Sequence, residues 1–81
     1  MPFNEQRIVP LDYRKLIKIF ELEGFNISNR KGDHISMTKP GVKRPVVIKC
    51  GHKQVPVAHI RTNLTTAGIS RQRYFDLLAQ L

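Results

Sequence analysis

The hydrophobic period of this chain changes twice, and that pattern constrains its fold more than any other feature. Tyr13, Leu16, Ile17 and Phe20 recur at the spacing of one helical face. Ile19 flanks that stripe and Leu22 lies opposite it. Asp12, whose short side chain can accept a bond from a free backbone N–H, predicts the N-cap, and Gly24 predicts the stop. From Phe25 the period is two. Phe25, Ile27 and Asn29 are expected to point one way, and Asn26, Ser28 and Arg30 the other. His34 to Thr38 alternates again, with Ile35 and Met37 on one face and His34, Ser36 and Thr38 on the other. Pro45 to Cys50 forms a third run, rich in β-branched residues. The connections Lys31-Gly32-Asp33 and Lys39-Pro40-Gly41 are short turn sequences, so an antiparallel three-stranded meander is expected. After Cys50 the helical spacing returns at Val57, Ile60, Leu64 and Ala67, with Pro56 in the first turn. Gly68 closes that helix, Ser70 caps the next, and Tyr74, Leu77, Leu78 and Leu81 form the last stripe.

The expected fold class is therefore α+β in the order α-β-β-β-α. A three-stranded antiparallel sheet carries helices on one face, and the C-terminal helix is broken at Gly68. Residues 1–11, with Pro2 and Pro10 and no periodicity, read as a leader segment, and residues 12–81 as a single domain. A chain of 81 residues buries only about 60% of its extended surface. Any activity must use a few side chains on one face, and the wet side of the sheet is the natural working surface.

Charge narrows the partner. The net charge is +8, and its distribution is uneven. Residues 1–29 balance Arg7, Arg14, Lys15 and Lys18 against Glu5, Asp12, Glu21 and Glu23. Residues 30–53 hold Arg30, Lys31, Lys39, Lys43, Arg44, Lys49 and Lys53 against Asp33 alone. Such clustering is expected of a surface that meets a polyanion, and an acidic protein partner could use the same patch. No apolar run reaches the roughly 20 residues of a membrane helix. The N-terminus has no signal-peptide core, and the single cysteine, Cys50, fits a reducing compartment. A cytoplasmic protein with no membrane partner is expected.

Several chemistries are excluded. The chain has neither a P-loop nor a GxGxxG sequence. No close pair among Cys50, His34, His52 and His59 has the spacing of a zinc finger or ribbon, so no metal and no cofactor is expected. Asp33 and Asp76 are too far apart in sequence to suggest a carboxylate dyad. His34 remains. It follows a glycine turn, stands on the polar side of its strand, and sits inside the basic segment where phosphates would lie. Histidine is the side chain best suited to proton transfer near neutral pH, although a solvated surface histidine would look the same in sequence. His52, in the loop after the third strand, could bind phosphate, act as a second proton carrier or be an ordinary loop residue. His59 reads as a capping or surface residue of the second helix.

The stretch from Asp12 to Leu81 resembles the HicA toxin family, also called YcfA-like proteins. The resemblance rests on Glu23-Gly24-Phe25, Lys31-Gly32-Asp33-His34-Ile35, Thr38-Lys39-Pro40-Gly41, Arg44-Pro45-Val46-Val47-Ile48 and Ala67-Gly68-Ile69-Ser70, in that order. It implies a double-stranded-RNA-binding-domain-like fold and a metal-independent mRNA interferase, with His34 in the catalytic role. It also implies a HicB-type antitoxin as partner. RNA would be bound by Arg30, Lys31, Lys39, Lys43, Arg44, Lys49, His52 and Lys53. The sequence departs from the family pattern at Ala58-His59-Ile60, where Gly-Thr-Leu is common, and at Lys49, where proline is common. These departures keep open a second expectation, an RNA-binding module of the same fold that does not cut.

Overall fold

A computed structural model of the chain describes residues 6–81. Five strands and three helices follow in the order β1 (Leu11–Asp12), α1 (Tyr13–Leu22), β2 (Asn26–Lys31), β3 (His34–Thr38), β4 (Val46–Lys49), β5 (Gln54–Val55), α2 (Val57–Ala67) and α3 (Arg71–Leu78). The three central strands form the antiparallel meander β2-β3-β4, as the alternation predicts. The expected α+β class, the three-stranded sheet and the helical break at Gly68 are all present. A second, two-stranded sheet pairs β1 with β5, and Tyr13 N–H extends it by donating to the Lys53 carbonyl at 3.0 Å. A two-residue strand carries no periodicity, so neither member was visible in the sequence. Ile8 and Leu11 pack against the core. Residues 1–5 of the expected leader lie outside the described residues.

The core lies between the sheet and the helices. Ile35 and Met37 of β3 and Val46 and Ile48 of β4 are fully buried, and they meet Leu16, Ile19 and Phe20 of α1. The stripe of α1 is thus rotated from the expected one. Ile19 sits in the core and Ile17 is only partly buried. Positions 16, 19 and 20 retain the helical spacing, but α1 packs against both β4 and α3, which centres its contact on Ile19. In α3 the buried residues are Tyr74, Phe75 and Leu77. Leu81 was expected inside and is exposed, because the helix ends at Leu78 and Phe75 takes its place. The caps behave as expected. The Asp12 carboxylate accepts from Arg14 N–H, and the Ser70 hydroxyl accepts from Arg73 N–H.

One irregularity changes the working face. The β2–β3 register steps at Ser28, so that Ile27 pairs with Met37 but Asn29 pairs with Ser36. Directly paired residues share a face. Ile27 and Arg30 therefore lie on the core side, opposite Met37 and Ile35, while Asn29 and Lys31 lie on the open side. Simple alternation had placed Asn29 with Ile27. The extra residue of the bulge reverses the parity of all that follows, and the Ser28 hydroxyl, donating to the Ser36 carbonyl at 3.2 Å, holds it.

Candidate functional site

The turn between β2 and β3 consists of Gly32 and Asp33 alone. Gly32 has φ +58°, the positive value required at the first corner of a tight type II′ hairpin, where a side chain would be strained. This short turn fixes Lys31 directly opposite His34. On the other side, His34 pairs with Lys49 of β4. The imidazole thus stands between two lysines on the open face, with neighbouring Cβ atoms about 4.5–5.5 Å apart in such pairs. The bulge at Ser28 lets Ile27 lie on the core side while the turn keeps Lys31 on the face of His34. The side chain of His34 is 47% exposed and available to a ligand.

Asp33 completes the arrangement. Its Oδ1 lies 2.8 Å from Nδ1 of His34. Its main-chain carbonyl accepts from Cys50 N–H at 2.7 Å, which ties the turn to the end of β4. Gly51 lies against the carboxylate so closely that a Cβ there would come within 2.7 Å of Oδ2. A carboxylate at Nδ1 favours the tautomer with its proton there, leaving Nε2 free to accept or deliver a proton at the open face. Sequence reasoning weighs Asp33 only as half of a carboxylate dyad with Asp76 and so misses its contact with His34. The legible signal was its place immediately before the histidine, at a turn corner.

The other sequence-predicted residues divide between the two ends of the sheet. His52 and Lys53 are exposed in the loop that follows Lys49, at the His34 end. Lys53 is also close enough to Asp12 to help lower its carboxyl pKa. Lys43 and Arg44 are exposed in the β3–β4 connection, at the far end of a strand about 13 Å long. Lys39 is at that far end too, with its ammonium 5.7 Å from the Phe25 ring centroid, and it is only partly exposed. Arg30 is separated from His34 by the sheet itself. The structure therefore brings together His34, Lys31 and Lys49, leaves His52 and Lys53 in the loop that follows Lys49, and does not bring Arg30, Lys39, Lys43 or Arg44 to the same point.

At the outer edge of the sheet, α2 runs along β4. Asn63, 5% exposed, donates through Nδ2 to the Val47 carbonyl at 2.8 Å. Covering an edge strand in this way removes a free acceptor that could template association. His59, one turn earlier, is half-buried and not on the helix surface as expected. Its Nδ1 is shielded and has no partner. Among the described residues no group of three histidine, cysteine, aspartate or glutamate side chains could hold a metal ion, and no helix is long and apolar enough to cross a membrane.

A half-exposed histidine between two cross-strand lysines, beside a carboxylate, is the arrangement that comparison with known families has to account for. The family of HicA toxins, from bacterial toxin–antitoxin, matches residues 13–69. The chain belongs to the HicA toxin family. The match runs from the first residue of α1 to the start of the α2–α3 connection and includes all of β2, β3 and β4. No curated protein and no solved structure matches the chain. HicA toxins generally cleave RNA and act opposite an antitoxin, which gives the basic open face of this chain a class of ligand and a class of partner.

Proposed function

We propose that this HicA toxin is an endoribonuclease in which His34 moves the proton at the scissile phosphate, and that a HicB-type antitoxin silences it by covering the open face. The observation that carries the reading is the register Lys31–His34–Lys49 on an exposed strand surface. RNA carries its own nucleophile, the ribose 2′-hydroxyl. The protein needs only to hold the phosphate, remove one proton and supply another. Lys31 and Lys49 flank the point where a phosphate would contact the imidazole, so both can stabilise the charge that develops on its oxygens. With Nδ1 held by Asp33, Nε2 accepts the proton of the 2′-hydroxyl as that oxygen attacks phosphorus. It can then return a proton to the departing 5′-oxygen. His52 and Lys53, in the adjoining loop, extend the basic surface along the strand of RNA, as do Lys43 and Arg44 from the far end. An acidic antitoxin surface laid on this face would block access and neutralise it together. The same shielding suits a toxin working in the cytoplasm, where messenger RNA is its target.

The test is incubation of purified toxin with messenger RNA in EDTA, followed by analysis of the product ends. Cutting that leaves 2′,3′-cyclic phosphates supports the reading. Retention of intact RNA would instead make the chain a binding module of the same fold. Addition of the antitoxin should stop cutting, and hydrogen exchange on the complex should show protection of β3 and β4.

A further inference from the structure

The open face continues past Lys49 into a cleft. Between β4 and α2 lies a cavity of about 240 Å³ lined by Val47, Lys49, His59, Thr62 and Asn63. Nδ2 of Asn63 donates to a main-chain carbonyl, which can only accept, so the amide orientation is fixed and Oδ1 is left as an acceptor. Asn63 Oδ1 and His59 Nδ1 are the buried side-chain polar atoms without a hydrogen-bond partner among the described residues. Both residues line this cleft, one helical turn apart on the same face of α2. Buried polar groups are ordinarily partnered by protein, ordered water or ligand, and these two shielded atoms have no partner within the described residues.

We propose that the cleft is a nucleobase subsite, holding the base next to the phosphate at His34 and selecting bases with an exocyclic amino group. The proposal rests on the RNA-cleaving reading and extends it to sequence preference. Size argues for a base: the volume falls just below the roughly 300–1,000 Å³ of pockets for drug-sized ligands and suits one flat ring system. Position argues for the neighbouring nucleotide. Lys49 is both a wall of the cleft and the cross-strand partner of His34, so a phosphate held at that pair leaves its base facing Val47 and α2. The exposed Lys49 side chain is long enough to turn aside as the base enters. Chemistry sets the preference. Asn63 Oδ1 accepts, and His59 Nδ1 accepts when the ring proton is on Nε2. Two acceptors one helical turn apart can take the two hydrogens of an amino group, as on adenine N6 or cytosine N4, whereas uracil presents a carbonyl there. RNA-binding proteins read unstacked single-stranded bases in this manner.

The experiment titrates the whole protein with adenosine, cytidine and uridine 3′-monophosphates, following amide resonances by NMR. Adenosine and cytidine nucleotides are expected to shift Val47, Lys49 and the Asn63 side-chain amide, with uridine at least about fivefold weaker. Thr62→Trp, at an exposed position on the cleft wall, should abolish those shifts. It should also flatten the base preference of cleavage while His34-dependent cutting continues. Shifts outside the cleft, equal binding of uridine, or an unchanged preference in Thr62→Trp would overturn the proposal. So would protection of the cleft by an antitoxin with no response to any nucleotide, which would make it a protein contact. Base-selective binding in a protein that does not cut RNA would refute the nuclease reading and leave the subsite standing.

Discussion

Oδ1 of Asp33 lies 2.8 Å from Nδ1 of His34, and the same carboxylate is what a side chain at position 51 would strike. The histidine is thus oriented from its own turn and the turn is held from the next loop. Asp33→Asn should lower the cleavage rate with little change in RNA affinity. Both side chains are half-exposed or more, so the loss should be smaller than the roughly 10⁴-fold seen when a buried triad carboxylate is replaced. Gly51→Ala should reproduce that loss, because its methyl displaces the carboxylate. Single-turnover rates and RNA affinity on both variants decide it. A Gly51→Ala protein that cuts normally would detach Asp33 from the mechanism.

The basic residues fall at two ends of the sheet, and their substitutions should separate accordingly. If about four phosphates are neutralised, the log–log salt slope on single-stranded RNA should be near −3, from roughly −0.7 per phosphate. Lys31→Ala with Lys49→Ala should flatten the slope by about 1.4 and also slow cutting of bound RNA. Lys43→Ala with Arg44→Ala should flatten it equally and leave the rate on bound RNA unchanged. Binding isotherms across a salt series, with saturating single-turnover rates, make the comparison.

How much of this was legible in the sequence varies along the chain. β3 could be read residue by residue, because Ile35 and Met37 are buried and His34 is exposed, as strict alternation requires. The Asp12 and Ser70 caps were legible because a cap is a local hydrogen bond. Strand β2 could not be read the same way. All six of its residues are exposed, so no buried residue marked its parity, and the bulge at Ser28 left no compositional trace. The cleft was also invisible. It forms between residues of β4 and residues at least ten positions later on α2, and only tertiary packing brings Val47 to Asn63. His34 was found by its turn and its basic neighbourhood, while its cross-strand lysines required the register.

Asn63→Ala should be one of the more damaging single substitutions outside the apolar core. It removes the donor from the Val47 carbonyl on an edge strand and leaves that acceptor unpaired. A loss of about 1–3 kcal/mol is expected, read from urea unfolding. Ser70→Ala, which removes the cap of α3, should cost about 0.5–2 kcal/mol. An Asn63→Ala protein as stable as the parent would show that the α2–β4 bond contributes nothing net.

Acid should weaken the fold in a defined window. The Arg14 guanidinium and N–H hold the Asp12 carboxyl down to about 2, and the Arg73 guanidinium lowers that of Glu23. Both carboxyls have native values below their unfolded ones, so their stabilisation is complete above about pH 4.5. It is lost as pH falls through the lowered native values. Glu23→Gln should therefore reduce the slope of stability against pH below about 4.5 and leave the slope near neutrality unchanged. Urea midpoints from pH 2 to 7 on both proteins measure it.

The account stands on His34, and the most direct measurement is the single-turnover cleavage rate of wild type and His34→Ala on saturating RNA in EDTA. An exposed strand residue contributes little to the core, so the variant should keep its melting curve within about ±0.5 kcal/mol. It should also keep most of its RNA affinity, which the neighbouring lysines supply. Its rate should fall by about 10²–10⁴-fold, the usual cost of losing a general acid–base group. A folded His34→Ala protein that binds RNA and cuts it at the wild-type rate would contradict the assignment outright.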